Sequence, residues 1–264
     1  MKELFERNPN TSVRDVAVRA GTSKSTVQRI QEESKLKAYR VQKVPDRSDE
    51  KQLVAKKRAR NLYEEYLTKF DCCVIDDETY VKADFKQLPG HEFYTCKKKG
   101  QVQSKFKEKK ITKFPKQYMI RRALCTCGLR SSFFATQGTI NSKIYIEECL
   151  EKRPLPFIRE HEGTVMFWSD LATSHYSKAT KEWYESNNVN IVPKRPNPLN
   201  CPELRPIERY WALMKSDLRK SKRAAKNLQD FRNKWRMSYD TVDETTVQNL
   251  MKGLKKKVRN FYRK

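Results

Sequence analysis

Three acidic residues in separate motifs are the side chains of this sequence best suited to chemistry. Asp77 lies in VIDDETYV, Asp170 ends the run VMFWSD, and Glu208 lies in CPELRPIERYW. The apolar runs before the two aspartates predict buried strands, and the segment around Glu208 predicts the start of a helix. A carboxylate at the end of a buried strand is costly unless it is paired or binds a metal. Three carboxylates at one point can hold two Mg²⁺ or Mn²⁺ ions, which suit the cleavage of phosphodiesters.

Two nearby acids and one histidine are alternatives at this site. Asp76 directly precedes Asp77, and because adjacent strand residues point to opposite faces, only one of the two is expected to be a ligand. Glu203 is a weaker alternative to Glu208, because it lies in the loop before the predicted helix. His175 could contact substrate or metal, but a lone histidine near a helix start is more often a cap or a packed residue, so it is not included among the catalytic residues.

The charge of the chain indicates a polyanionic substrate. The 264 residues include 57 Lys and Arg against 32 Asp and Glu, which gives a formal net charge of +25. So large an excess is unusual for an enzyme of metabolism and typical of a protein that neutralises many phosphates. The basic residues are also clustered, which favours nucleic acid as the substrate over a merely soluble surface.

Residues 1–35 are predicted to contain a helix-turn-helix module. Apolar residues at helical spacing define a first helix, Gly21 supplies a turn, and Thr22 or Ser23 can cap the next helix. Val27 and Ile30 are expected to face inward on this second helix. Its outward residues are of types that contact phosphates and base edges, and we expect them to bind DNA: Lys24, Ser25, Thr26, Gln28 and Arg29.

Two further basic segments are expected to contact DNA. Residues 36–69 are predicted to form a basic linker followed by a helix, and the linker contributes Arg40 and Lys43. A polar insertion at about 83–116 interrupts the next domain, and so long a loop inside a compact domain is usually functional. We interpret it as an arm that grips DNA or a partner subunit through its lysines, among them Lys97, Lys98, Lys99, Lys105 and Lys107.

Residues 70–264 are predicted to form an α/β domain. Short β-branched and aromatic runs come first and then alternate with helical patterns, which predicts a mixed sheet with helices on its faces. The pattern from residue 206 onward is mostly helical.

The seven cysteines show no framework of disulfide spacings. Cys125 and Cys127 form a CTC sequence instead of the CxxC of a zinc knuckle, and the chain has only three histidines. We therefore expect reduced, mostly structural cysteines and no zinc site, as in an intracellular protein. No apolar stretch is long enough to span a membrane and no signal peptide is evident, so no membrane partner is expected.

The three acidic motifs resemble those of the mariner-type DNA transposases of the Tc/mariner superfamily. DDETYV, FWSDLATSHYS and NCPELRPIERYW match in order and in their surroundings, and the resemblance extends to the helix-turn-helix, the linker KLKAYRVQKVP and the lysine-rich insertion. It implies a ribonuclease-H-like catalytic core and a triad of Asp77, Asp170 and Glu208 as catalytic residues and metal ligands. Asp77 takes the first position because it directly precedes Glu78, as in the family's Asp-Glu pattern.

The resemblance also implies an activity and partners. The family binds the inverted repeats at transposon ends as double-stranded DNA, frees a 3′-hydroxyl with two Mg²⁺ or Mn²⁺ ions, and joins it to target DNA at TA. Members commonly act as homodimers, and a DNA substrate together with the basic run KGLKKKVRNFYRK predicts the nucleus.

The chain departs from the family pattern in two places. It begins too late to hold the family's usual additional first helix-turn-helix, and Leu171 replaces a common Asn. The alternative function is a transposase-derived DNA-binding protein that does not cut. A ribonuclease is disfavoured by the helix-turn-helix, because duplex RNA offers no readable major groove.

Overall fold

The computed structural model of the chain describes residues 1–37, 44–90, 103, 108, 110–221, 223–239 and 242–263. Contacts divide the chain into two compact units, residues 1–43 and 44–264. Within the described ranges, no helix combines the length and the apolar character that are needed to cross a bilayer.

Over residues 1–37, the described part of the first unit, three short helices form: α1 (Lys2–Arg7), α2 (Val13–Arg19) and α3 (Lys24–Glu33). The hydroxyl of Ser23 accepts a hydrogen bond from the Thr26 backbone N–H and so caps α3. Gly21 adopts φ of 58°, a left-handed conformation that suits glycine in the turn between α2 and α3. The small core consists of Val16, Ala17 and Val27, with α1 packed against it.

The second unit is built on one mixed sheet with the strand order β3–β2–β1–β4–β5. Antiparallel pairing joins β1 to β2 and β2 to β3, whereas β4 lies parallel to β1 and β5 parallel to β4. The predicted α/β class is confirmed. The strands are β1 (Cys72–Lys82), β2 (Gln117–Cys125), β3 (Phe134–Thr136), β4 (Val165–Trp168) and β5 (Asn190–Ile191).

Helices flank this sheet, and the carboxy-terminal part of the second unit is mostly helical, as predicted. In chain order the described helices are α4 (Asp49–Leu62), α5 (Ser142–Ile144), α6 (Pro154–Arg159), α7 (Lys178–Ser186), α8 (Ile207–Lys220), α9 (Leu228–Tyr239), α10 (Glu244–Met251) and α11 (Leu254–Arg263). Single π-helical segments extend α4 over Tyr63–Leu67 and α5 over Tyr145–Glu151. The helix predicted after the linker belongs to the second unit, where α4 packs against α11.

The alternation of side chains along β1 separates two buried cores. Cys73 and Ile75 belong to the larger core, which the carboxy-terminal helices cover. Val74 belongs to a second core, which contains Tyr145 and Tyr184. Because successive strand residues point to opposite faces, this alternation also decides which acid of β1 faces which set of helices.

Candidate active site

The sheet places Asp77 and Asp170 side by side at one edge. Ile75 pairs with Trp168 in the parallel register of β1 and β4, and each aspartate lies two residues beyond its member of that pair. Oxygen atoms of Asp77, Glu78 and Asp170 lie within 4.8 Å of one another. Carboxylate oxygens are the ligands that Mg²⁺ and Mn²⁺ prefer, so the donor set of this cluster fits such an ion.

Asp76 faces the opposite side of the sheet, where its carboxylate accepts several hydrogen bonds. Its Oδ2 accepts hydrogen bonds from Arg121 Nη2 at 2.6 Å and Nε at 3.0 Å, and from the Tyr145 hydroxyl at 3.1 Å. Arg121 and Asp76 are both buried, so this ion pair belongs to the interior. The strand alternation therefore directs Asp77, and not Asp76, toward Asp170.

Asp77 is buried beneath helix α8. The Trp211 indole N–H donates to Asp77 Oδ2 at 3.2 Å, and Arg205 Nη2 lies 3.9 Å from Oδ1. Burial raises the pKa of Asp77 above its ordinary value, and the negative charge of Asp170 adds to the rise, although Arg205 opposes it. A divalent cation between the two aspartates would relieve both effects.

Asp170 is held by the turn that follows β4. The Ala172 backbone N–H donates to Asp170 Oδ1 at 3.0 Å, and Nδ1 of buried His175 lies 2.6 Å from the same oxygen. Burial would raise the pKa of Asp170, but the hydrogen bond and charge of His175 outweigh it, so the pKa lies below its ordinary value. His175, whose role the sequence left open, therefore contacts a candidate metal ligand directly.

An amide network fixes the end of β4 from which Asp170 emerges. Asn197 Oδ1 accepts from the Trp168 indole N–H at 2.9 Å, and Asn197 Nδ2 donates to the Ser169 carbonyl at 2.9 Å. All three residues are buried. Because hydrogen-bonded supports of this kind hold a ligand in place, the network limits the positions that Asp170 can take.

Glu208 lies in the first turn of α8 and is exposed. It is not among the three acids whose oxygens lie within 4.8 Å of one another. Although Glu208 is exposed overall, neighbouring groups partly exclude water from its carboxylate, and this desolvation, followed by the charge of Asp77, raises the pKa of Glu208 above its ordinary value. Glu208 is thus close enough to Asp77 to feel its charge, and its role as the third ligand stays a prediction.

Glu78 is the acid of the cluster that was not predicted to be a ligand. It is half-buried and forms an ion pair with Arg121, which also holds Asp76. Burial raises the pKa of Glu78, and the charge of Asp170 adds to the rise while Arg121 opposes it. The signal in the sequence was the run of three consecutive acids, 76–78, at the end of an apolar strand.

The residues predicted to bind DNA fall into two groups. Lys24, Ser25, Gln28 and Arg29 are exposed on α3 and Thr26 is half-buried there, as expected of an outward helix face. The other predicted contacts lie outside the described residues: Arg40, Lys43, Lys97, Lys98, Lys99, Lys105 and Lys107. At the amino-terminal border of the insertion, Phe85 and Leu88 are buried in the larger core.

Replacing His175 with Ala is expected to weaken Mn²⁺-dependent DNA cleavage by about 10- to 100-fold, because partners that orient a ligand contribute effects of that size. Excess Mn²⁺ should restore part of the rate. His175→Asn keeps an N–H near the Nδ1 position and should lose less. Measuring the cleavage rate against Mn²⁺ concentration tests this, and an unchanged Mn²⁺ dependence in His175→Ala would contradict it.

Binding of Mn²⁺ is expected to strengthen as the pH rises above the range in which ordinary carboxylates lose their protons. The pKa values of Asp77, Glu78 and Glu208 are raised, so these groups retain protons at pH values where ordinary carboxylates have lost them. Protons must leave before the oxygens bind a cation. Titration calorimetry in buffers of different ionisation enthalpy should therefore show proton release, and an affinity that does not change with pH would exclude this reading.

Comparisons with known proteins agree with this site. The sequence model of the DDE superfamily endonuclease family matches residues 82–232. This range contains Asp170 and Glu208, whereas Asp77 lies just before it. No curated protein matches the chain in sequence.

Solved structures of Mos1 transposase share the fold. The Mos1 transposase paired-end complex with left transposon end matches with a TM-score of 0.68 at 17% identity, covering 99% of this chain and 76% of that chain. The Mos1 mariner paired end complex with Mn matches with a TM-score of 0.67 at 15% identity, and the match covers 98% of this chain and 75% of that chain. The catalytic domain of Mos1 mariner transposase matches with a TM-score of 0.57 at 14% identity, and the match covers 84% of this chain and 97% of that chain.

At such identities these structures establish the fold, and the predicted ribonuclease-H-like architecture is confirmed. The family match covers more than half of the chain and includes two of the three predicted acids. The chain therefore belongs to the DDE superfamily endonucleases.

Proposed function

We propose that the protein is a cut-and-paste DNA transposase that cleaves transposon ends and transfers the freed strand into target DNA. The observation that carries the proposal is the cluster of Asp77, Glu78 and Asp170 at the sheet edge of a DDE superfamily endonuclease. The net charge of +25 supports DNA as the substrate. The structural neighbours were solved as complexes with transposon ends and in a strand transfer complex.

Asp77 and Asp170 would hold two Mg²⁺ or Mn²⁺ ions, with Glu208 as the predicted third ligand. Glu78, whose carboxylate lies beside those of the two aspartates, is a further candidate ligand. Bound there, the ions supply an activated attacking oxygen and stabilise the leaving oxygen. The protein's part is to fix the carboxylates. Trp211 orients Asp77, and His175 with the Ala172 N–H orients Asp170.

A two-step assay tests the proposal. A duplex selected from a random library by its affinity for the chain is incubated with Mg²⁺ or Mn²⁺, and cleavage should leave a 3′-hydroxyl. The same duplex supplied already cut should then join to a supercoiled plasmid, with the joints at TA. Tight binding without nicking under any metal condition would overturn the proposal and leave a DNA-binding protein that does not cut.

The amino-terminal unit is proposed to recognise DNA as a helix-turn-helix through α3. Lys24→Ala should weaken binding equally for all DNA sequences. It should also reduce the slope of log affinity against log salt concentration by about 1, the value for one phosphate contact. Gln28→Ala should instead cost about 1–3 kcal/mol on the preferred sequence and relax the preference. Fluorescence anisotropy at several salt concentrations measures both effects. Two variants that bind like wild type would exclude α3 as the reading helix.

We also propose that the chain acts as a homodimer in the nucleus. The paired-end complexes among its structural neighbours support the dimer, and the basic helix α11 supports nuclear import. Mixing duplexes of two lengths with the chain should give a complex that holds both lengths at once. A complex that holds only one duplex would contradict the dimer.

A further inference from the structure

Three cysteines and a histidine meet at the edge of the sheet that lies opposite the acids. Cys72 begins β1, Cys125 ends β2, Cys127 lies in the turn after β2, and His161 lies in the connection from α6 to β4. One ligand atom from each residue lies within 4.8 Å of all the others. Asp77 lies five steps along the extended strand from Cys72, or roughly 17 Å, so this cluster is distinct from the acid site.

The distances within the cluster fit one tetrahedral ion. The Sγ atoms of Cys125 and Cys127 lie 3.1 Å and 3.3 Å from Nε2 of His161. Zn–S bonds of about 2.3 Å and Zn–N bonds of about 2.0 Å, arranged tetrahedrally, separate neighbouring ligand atoms by about 3.5 to 3.8 Å. The two nitrogen–sulfur distances therefore lie within a few tenths of an ångström of those around zinc, and the remaining distances, all within 4.8 Å, leave the four atoms close enough to share one ion.

The imidazole of His161 is already oriented as a ligand. Its Nδ1 lies 2.5 Å from the Phe157 carbonyl oxygen, to which it donates, and this leaves the Nε2 lone pair directed at the sulfurs. Metal-binding histidines almost always donate their other ring N–H to such an acceptor. The hydrogen bond is therefore an observation, independent of the clustering, that points to a bound cation.

The turn that carries two of the thiols is fixed on both sides. The Cys125 N–H donates to the Leu129 carbonyl at 2.8 Å, and the Gly128 N–H donates to the Cys125 carbonyl at 3.0 Å. Gly128 adopts φ of 106°, and a Cβ there would lie 2.9 Å from the Glu244 carbonyl oxygen. Thr126 bonds to the Cys73 backbone in both directions, which holds the turn against the start of β1.

We propose that Cys72, Cys125, Cys127 and His161 bind a structural Zn²⁺ ion. Three thiolates and an imidazole fill a tetrahedral coordination sphere, and a sphere with no open position is typical of structural rather than catalytic zinc. The ion ties together three segments of the chain that sheet pairing alone brings near one another. It thereby stabilises the pairing of β1 with β2 and β4, and Asp77 lies further along β1 while Asp170 follows the end of β4.

Metal analysis of the purified full-length chain tests the proposal. After dialysis against a buffer that contains Mg²⁺ and no zinc, inductively coupled plasma mass spectrometry should find close to one zinc ion per chain. Cys127→Ser and His161→Ala should each lose most of this zinc. Cys201→Ser is the matched control, because Cys201 donates only to the Leu199 carbonyl, and it should keep the ion. Asp170→Asn should also keep it, which separates this site from the acid site.

Two measurements decide the outcome even if a variant folds poorly. Cobalt added to the chelator-treated wild type should produce thiolate charge-transfer bands and tetrahedral d–d bands that Cys127→Ser lacks. A zinc chelator should lower the Tm of wild type and of Cys201→Ser, but not that of Cys127→Ser. Wild type that contains no zinc and yields no cobalt spectrum would overturn the proposal. So would a disulfide between Cys125 and Cys127 in the unreduced protein.

Discussion

Asp170→Asn is expected to reduce metal-dependent DNA cleavage by at least about a thousandfold. The carboxylate supplies charge to the proposed ions, and metal ions contribute several kcal/mol of transition-state stabilisation, where each 1.4 kcal/mol is tenfold in rate. Asn keeps an oxygen that can accept from the Ala172 N–H, so the turn after β4 should fold normally. The measurement is single-turnover cleavage of the selected duplex at saturating Mn²⁺.

The control for this loss is DNA affinity. Because α3, and not Asp170, is proposed to bind the sequence, Asp170→Asn should bind the uncut duplex with wild-type affinity. Asp76→Asn serves as a second control, since Asp76 faces Arg121 on the opposite side of the sheet. Asp76→Asn should keep measurable cleavage. Equal activity in Asp170→Asn and wild type would show that the chemistry takes place elsewhere.

Arg121→Met is expected to destabilise the second unit by about 3–5 kcal/mol, because it leaves the buried carboxylate of Asp76 without its cationic partner, although the Tyr145 hydroxyl still donates to it. Arg121 donates two hydrogen bonds to Asp76, pairs with Glu78, and lies over the Tyr145 ring at 4.7 Å. For a unit of this size the Tm should fall by roughly 10 °C. Urea unfolding gives the change in free energy directly.

The double variant separates the cost of an unpaired charge from the loss of packing. Adding Asp76→Asn to Arg121→Met removes the stranded charge, so it should recover a large part of the stability. Replacing both members of a buried ion pair is often close to neutral. If the free energy of unfolding of Arg121→Met lies within about 0.5 kcal/mol of the wild-type value, the ion pair does not stabilise the pairing of β1 with β2 at this point.

The ordering of the acids shows what the sequence could predict. The apolar run before Asp170 was enough to place it just beyond the end of β4, because strand periodicity is local. The expectation that Asp77 also ends a strand was wrong, because β1 continues past the apolar run to Lys82 through its pairing with β2. The choice between Asp76 and Asp77 required the identity of the two faces. That depends on which helices cover them, and Tyr145 and Trp211, which mark those faces, are distant in sequence from β1.

The cluster of three cysteines and His161, for which we propose a zinc ion, shows what the sequence could not predict. A search for CxxC spacing rejected Cys125 and Cys127, and the expectation of no zinc site followed from it. The missing partners, Cys72 and His161, come from other segments, and only the pairing of β1 with β2 and β4 brings them together. Spacing rules describe sites formed within one loop, whereas this site is formed by sheet register.

The packing expected of His175 is confirmed, but its contact with Asp170 could not be predicted, for a similar reason. A lone histidine near a helix start is usually a cap or a packed residue, and its ring does pack against Tyr145 at 4.2 Å. Its contact with Asp170 depends on the turn after β4, which brings Nδ1 back onto the carboxylate. The short distance in sequence, five residues, was visible, but the direction of the side chain was not.

The most direct test of the acid cluster is a crystal of the full-length chain with its selected duplex, soaked in Mn²⁺ and measured at the manganese absorption edge. An anomalous peak should lie between Asp77 and Asp170 and contact both, and the same map would decide between Glu208 and Glu78 as the third ligand. Peaks elsewhere in the crystal, with none in contact with both aspartates, would contradict the account.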